Sequence, residues 1–433
     1  MGASTSSTSS TSVTLFDLLS TRFAPIQDAI MASLGPLERI ALMLTSKSIN
    51  KNINEKLLSG TFNIDVTLQP FFRNTKAFRS LQARCNALIG GPFAYCLFAG
   101  LPRFDCIYLY VGQEVNAMTR YLVAENYVRD ETNAEAPNRY RDGEVLSEDV
   151  YEKDGPGGRK LKVVITKCQT QSLAHMVLQD AYATGMLTFI TWNKAYHLLP
   201  HTTFVRREMF LLRNIKEMDP YELRLFSLRG MKIKTVHWNA HDEIRPTDCQ
   251  LLTRLRRVGD QHTWVMPLNT EGVTPSPVPD AVLEASTFRL DLPDWDDHKT
   301  LFYEMNVCTE LRHPILRHTY STTRFDAGII TPYYEKLSKL YDRLSEAAAI
   351  ELTKMDEDER PKEYDQLVNR GSAIACDMEE FVRPDDWSYF DEDVSAFLMA
   401  AWKEQVRLEE QEEEEEEEAL EPDHRSAKRA RRS

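Results

Sequence analysis

No Cys-x-x-Cys pair, P-loop, Gly-x-Gly-x-x-Gly fingerprint or Gly-x-Ser-x-Gly elbow occurs in the 433 residues. Their absence removes the common sequence signatures of zinc ribbons, P-loop NTPases, dinucleotide-binding oxidoreductases and α/β-hydrolases. The seven cysteines, Cys85, Cys96, Cys106, Cys168, Cys249, Cys308 and Cys376, are odd in number and widely spaced. That spacing fits reduced thiols better than a disulfide framework or a zinc site. No apolar run approaches the roughly 20 residues that span a bilayer. The N-terminus is rich in Ser and Thr and carries no hydrophobic leader. Met1-Gly2-Ala3-Ser4-Thr5-Ser6 fits a myristoylation template, but no basic cluster lies nearby to reinforce a single acyl chain. A soluble intracellular protein without a membrane partner is expected, nuclear or cytoplasmic.

Charge is plentiful but unevenly placed. The net charge is −14, of which Glu409–Ser433, with eleven acidic and five basic residues, carries −6. The body is therefore also acidic, at −8, so broad binding to nucleic-acid phosphates is not expected. Arg206-Arg207 and Arg254, Arg256 and Arg257 read as solvated faces or structural ion pairs. A hydrophobic content of 42% supports a packed core, and the length suits two or three domains. The pairs His237/His241 and His197/His201 have helical spacing. The first follows a strand-like run and the second is interrupted by Pro200. No metal and no cofactor are expected.

Residues 1–12 form a low-complexity leader expected to be disordered. Ile26, Ile30, Met31 and Leu34 then recur at helical spacing, Gly35-Pro36 breaks the run, and Leu37, Ile40, Ala41 and Leu44 continue it. With Leu34-Gly35-Pro36, Glu38 and Ser46-Lys47, residues 13–58 resemble an F-box, departing from its pattern in that Pro25 arrives late for the opening Leu-Pro. The resemblance implies a Skp-type adaptor and a cullin ubiquitin ligase as partners, with Ile26, Ile30, Leu34, Pro36 and Leu37 as the contact residues. A plain helical hairpin packed on the next domain is the competing reading.

Leu88-Ile89-Gly90-Gly91-Pro92-Phe93-Ala94-Tyr95 reads as a strand, a Gly-Gly turn and a helix, and Asp105–Val111 as a second strand. Val115–Val128 looks helical, Asn133–Gly158 a polar loop or hairpin, and Leu161–Thr166 a third strand. This order resembles the opening of a nucleotidyltransferase fold. The resemblance implies that Gly90-Gly91 would hold nucleotide phosphates. It also implies that the second strand would present Asp-x-Asp to paired magnesium ions, with a third carboxylate on the later strand. Cys106 and Tyr108 stand at the Asp-x-Asp positions, and Val163, Val164 and Ile165 supply no carboxylate. Magnesium needs hard oxygen ligands, and two-metal chemistry needs carboxylates to space the ions. Asp105 lies one position early, and a shift of one residue on a strand turns a side chain to the other face. Pro92 also removes a backbone N–H from the turn that the resemblance gives to a phosphate. Together with Phe189-Ile190-Thr191, Ala195-Tyr196, Pro200 and Thr203-Phe204, the turn resembles a fungal protein family with degenerate transferase strands and no settled activity.

The expected organisation assigns 59–245 to a degenerate nucleotidyltransferase-like domain and 246–285 to an irregular connection containing Pro267, Pro275, Pro277 and Pro279. Residues 286–408 are expected to be mainly helical, with helices at Tyr334–Thr353 and Val394–Leu408. Residues 409–433 would form an acidic tail ending in a basic cluster, Arg425, Lys428, Arg429, Arg431 and Arg432, which reads as a signal for a nuclear import receptor. The class is α+β: a small helical N-terminal unit, a central mixed β-sheet of nucleotidyltransferase type, a helical C-terminal region and a disordered charged tail. The expected function is a non-catalytic protein-interaction module, an F-box-like substrate adaptor that recognises an unknown protein client. The alternative is a nucleotidyltransferase-type enzyme or nucleotide-binding pseudoenzyme using Gly90, Gly91 and Asp105.

Overall fold

The computed structural model describes residues 14–34, 38, 42, 63–100, 104–112, 114–130, 139–141, 144–146, 148–167, 172–215, 220–236, 252–292, 302–323, 332–362 and 382–430. The leader 1–12, Pro36, Leu37, His237 and His241 lie outside these residues. The helices are α1 (Leu15–Leu18), α2 (Ala24–Ser33), α3 (Ile64–Leu68), α4 (Thr75–Arg84), α5 (Gly91–Ala99), α6 (Val115–Ala124), α7 (Leu173–Asp180), α8 (Pro220–Leu228), α9 (Asp280–Glu284), α10 (Pro332–Thr353) and α11 (Asp391–Ala430).

Eight strands form the central sheet: β1 (Ala87–Gly90), β2 (Cys106–Val111), β3 (Val128–Arg129), β6 (Glu148–Asp154), β7 (Lys160–Lys167), β8 (Thr188–Ile190), β9 (Lys194–His197) and β13 (Trp264–Pro267). Their order is β13-β9-β8-β1-β2-β7-β6-β3. The small ladders are β4 (Arg139–Arg141) with β5 (Glu144–Leu146), and β10 (Glu208–Phe210) with β11 (Lys232–Lys234). Strands β12 (Arg256–Arg257), β14 (Thr287–Asp291) and β15 (Glu304–Asn306) form a third ladder, and β16 (Cys308–Leu311) pairs with β17 (Tyr320–Thr322). Within the central sheet β2 and β7 run parallel, which requires a crossover; α6 and β3–β6 make it. The other central pairs are antiparallel, so the sheet is mixed.

Local sequence explains most boundaries. Asn63, Asn74 and Ser172 cap α3, α4 and α7 by accepting early helix N–H groups. Helix α5 is buried from Pro92 to Ala99, as its nearly all-apolar sequence requires, and closes on Gly100 at φ +59. In α10 the residues Leu337, Leu340, Leu344, Ala348 and Leu352 are buried on one stripe.

Several expectations are corrected. Residues 246–285 are more than a connection: β13 extends the central sheet beside β9, with Pro267 at its end. Proline is tolerated on an edge strand, where no inner partner needs its N–H. The stretch 286–408 opens with β14–β17 before α10 begins. These strands are three to five residues long, too short for a periodic signature. Helix α11 continues past Leu408 into the charged tail, its backbone helical to Ala430. Glutamate is a good helix former, and extending a helix already nucleated on the domain avoids the cost of starting one.

Among the described residues two hydrophobic cores result. The larger lies on the central sheet and includes Leu19, with Ile30, Met31 and Leu42 packed against it. The smaller joins Leu255, Ile315 and Tyr320 to α10, Trp387 and the Val394–Ala401 face of α11. Asp391 anchors α11 by accepting the backbone N–H of Arg317 (2.9 Å) and His318 (3.2 Å).

Arg79 crosslinks the larger core and is fully buried. Its Nε and Nη2 donate to the Trp192 carbonyl at 3.2 and 2.6 Å, Nη1 donates to the Asn269 carbonyl at 2.7 Å, and Nη1 pairs with Asp65 at 3.2 Å. Arg79→Met should therefore destabilise the fold by about 3–5 kcal/mol in urea denaturation, because two carbonyls and a carboxylate lose their partner.

His197 is buried against Phe98 and Phe204, and its Nδ1 accepts from Leu199 N at 3.3 Å. Burial pushes its pKa down to about 3, and that of His313 down to about 4. The unfolded chain thus binds these protons first as pH falls below the ordinary histidine value of about 6.5. Stability should rise with pH between about 3 and 6.5, and His197→Gln should flatten that limb in denaturation curves taken across the range.

Candidate functional site

The register of the central sheet decides what the glycine turn faces. Gly90 lies opposite Tyr108 and Leu88 opposite Tyr110, while across the parallel ladder Cys106, Tyr108 and Tyr110 lie opposite Lys162, Val164 and Thr166. Alternate residues share a face, so Cys106, Tyr108 and Val164 stand together beside the turn. Cys106 and Tyr108, a thiol and a phenol, stand at the Asp-x-Asp positions of the nucleotidyltransferase resemblance.

The turn itself is tight. Gly91 takes φ +68, a conformation that glycine adopts without strain. A Cβ on Gly91 would come within 3.2 Å of Tyr108 Cδ2. A Cβ on Gly90 would meet Tyr110 Cε2 at 2.8 Å and Val177 Cγ2 at 2.9 Å. The glycines therefore admit their own chain's tyrosine rings. Tyr110 is 2% exposed, and its hydroxyl donates to the Asp180 carboxylate. Arg213 Nη2 closes the group by donating to Asp180 Oδ1 at 2.7 Å and to the Gln179 carbonyl at 3.0 Å. Burial, then the Asp180 charge, raises the Tyr110 phenol far above its ordinary range, so it stays protonated and donates.

Two further groups border α5. Arg229 lies 5.8 Å from the Phe104 ring centroid, and its Nη1 is 4.0 Å from Cys96 Sγ. Burial pushes the Cys96 thiol up to about 11, which leaves it un-ionised at neutral pH and a poor nucleophile. Asp105 sits just before β2 with its side chain 46% exposed, 3.9 Å from Arg159. Its backbone carbonyl accepts from Lys162 N at 2.8 Å. Gly90 and Gly91 are thus brought together with Tyr108 and Tyr110, whereas Asp105 stands outside that face. Among the described residues no three His, Cys, Asp or Glu side chains gather into a metal-binding group.

A cavity of about 60 Å³ opens at the other end of β1, bordered by Asn86, Leu88, Ser172, Trp192, Ser276 and Asp280. Asp280 is already engaged, by Lys194 at 2.7 Å and by Asn193 at 2.9 Å. The Thr191–Tyr196 string is therefore a structural hairpin pinned to α9, since Lys194 and Tyr196 also reach Glu284.

The adaptor-contact residues do not share one exposed face. Ile26 is 43% exposed, whereas Ile30 packs against the larger core and half-buried Leu34 forms the C-cap of α2. Glu38 pairs with Arg207 at 2.8 Å. Arg425, Lys428 and Arg429 lie on the backbone of α11, and Arg431 and Arg432 fall outside the described residues. Arg256 and Arg257 are buried; Arg256 pairs with Asp260 and donates to the Leu198 carbonyl at 3.0 Å, so neither forms a solvent-facing basic patch. Asp180, Arg213 and Arg79 carried no signal in the sequence, because each meets its partners across long separations.

No family model and no curated protein sequence matches the chain. A solved structure of a CCA-adding enzyme with CTP is similar at 13% identity, over 42% of this chain and 44% of that one, with a TM-score of 0.27. The chain spans less than half the length of that enzyme, and likeness at this level assigns no activity.

The filled turn can be tested directly. Gly90→Ala should cost about 1–3 kcal/mol through overpacking against Tyr110 and Val177. An unchanged urea midpoint would mean that the space over the turn is open.

Proposed function

We propose that the chain is a non-catalytic binding protein built on a degenerate nucleotidyltransferase-type sheet. The observation that carries this reading is Tyr110, whose ring packs over Gly90 and whose hydroxyl is tied to Asp180. A phosphate at the turn would have to displace a buried ring and break an Arg213–Asp180–Tyr110 chain. The nucleotidyltransferase resemblance would put metal-holding carboxylates at Cys106 and Tyr108 and on the later strand, where Val163, Val164 and Ile165 offer none. In this reading the N-terminal unit meets a Skp-type adaptor of a cullin ligase, the remaining surface recognises a protein client, and the C-terminal basic cluster serves nuclear import. The F-box-like pattern and the exposure of Ile26 support the first of these roles.

Calorimetry separates this reading from a transferase. Titration of the full chain with Mg-ATP, Mg-GTP, Mg-CTP and Mg-UTP should give no binding heat, and saturable heat with any of them would revive the nucleotide site. For the adaptor, Ile26→Asp is the informative variant, because Ile30 also supports the core. Ile26→Asp should abolish co-purification with a Skp-type adaptor while leaving the thermal midpoint unchanged; retained co-purification would rule out the adaptor role.

A further inference from the structure

The segment Thr274-Pro275-Ser276-Pro277-Val278-Pro279 lies outside helix and strand, is pinned at both ends and presents one edge to solvent. At its start, the Asn269 carbonyl is held by buried Arg79, Gly272 turns the chain at φ +76, and Thr274 N–H donates to Ser80 Oγ at 3.0 Å. At its end, Asp280 is held by Lys194 and Asn193. Between these anchors the residues alternate. Thr274, Pro275, Pro277 and Pro279 are exposed, while Ser276, Val278 and Asp280 turn inward and border the 60 Å³ cavity. Ser276 Oγ is occupied, accepting Val278 N–H at 3.1 Å. The prolines recur every second residue, so the segment lacks the three-residue repeat read by polyproline-binding grooves.

We infer that Thr274 is a phosphorylation site for a proline-directed Ser/Thr kinase. The sequence holds three Ser/Thr-Pro dipeptides, at Thr274, Ser276 and Thr331. The fold separates the first two, exposing Thr274 outside any helix or strand and placing half-buried Ser276 at the cavity. In the transfer, Thr274 Oγ1 forms a bond to the γ-phosphorus of ATP. The bond from that phosphorus to the β–γ bridging oxygen breaks, ADP departs, and the hydroxyl proton passes to the kinase base. The neighbourhood also offers a partner for the product. Lys76 is exposed on α4, one turn before Ser80, and its Nζ lies 3.4 Å from the point where a Cβ on Gly272 would stand. A phosphate on Thr274 gains a charge-assisted contact with this ammonium, which ties the segment more firmly to α4. Glu271, exposed in the same turn, supplies the opposing charge and limits the gain.

The test is to incubate the folded full-length protein with a proline-directed kinase and Mg-ATP, and to map phosphate by mass spectrometry. Phosphate is expected on Thr274, retained in Ser276→Ala and lost from this position in Thr274→Ala. The thermal midpoint of the phosphorylated protein should rise, and Lys76→Ala should remove the rise. Phosphate confined to Ser276 or Thr331, or no incorporation while a control peptide is fully modified, would overturn the site. An unchanged midpoint on full modification of Thr274 would overturn the Lys76 contact.

Discussion

A single buried guanidinium constrains much of the larger core. Arg79 lies on a helix that precedes the central sheet, yet three of its five hydrogen bonds end on carbonyls of later turns. Those turns lead into β9 and follow β13, so one side chain sets where the two outermost strands on that side sit relative to α4. Burying a cation is costly unless its donors are satisfied, and here burial alone depresses its pKa despite the Asp65 charge. The geometry is therefore narrow: α4 cannot shift without exposing unpaired donors and acceptors in a dry interior.

Similar pinning recurs where secondary structure is weakest. The strands outside β2, β6 and β7 are two to five residues long, and short ladders by themselves hold little. Ion pairs and capped carbonyls compensate. Lys194 lies between Asp280 and Glu284, Arg256 between Asp260 and the Leu198 carbonyl, and Asp391 receives a loop of backbone N–H groups from β17's approach. Trp402 joins α11 to the β12 region by donating to the Leu255 carbonyl at 3.3 Å, with the Arg257 guanidinium 5.1 Å from its ring centroid. Polar side chains thus do in this fold what long strands do in a larger sheet.

The face beside Gly90 follows the same rule with a different consequence. A turn that would suit a phosphate is instead the packing site of Tyr108 and Tyr110, and the polar end of Tyr110 is satisfied internally by Asp180 and Arg213. A satisfied buried network is hard to open, because each displaced group would need a replacement partner. The exposed edge of Thr274–Pro279 and the side of α2 that carries Ile26 lie outside this closed network.

Much of the local structure was legible in the amino-acid order. The Gly-Gly turn, the helix after it, the β2 and β7 strands, and the stripe of α10 all follow from glycine, β-branched residues and helical spacing acting over a few neighbours. The absence of carboxylates at Cys106, Tyr108 and Val163–Ile165 was equally plain. What the order of residues could not determine depended on partners far along the chain. Tyr110 meets Asp180 across 70 positions and Arg79 meets Asn269 across 190. Helical spacing placed Ile26 and Ile30 on one expected binding stripe, but packing against the larger core drew Ile30 inward and left Ile26 outside. Periodicity reports which residues share a face of an element; only the tertiary structure decides what that face meets, because burial is a property of neighbours that the local sequence does not contain.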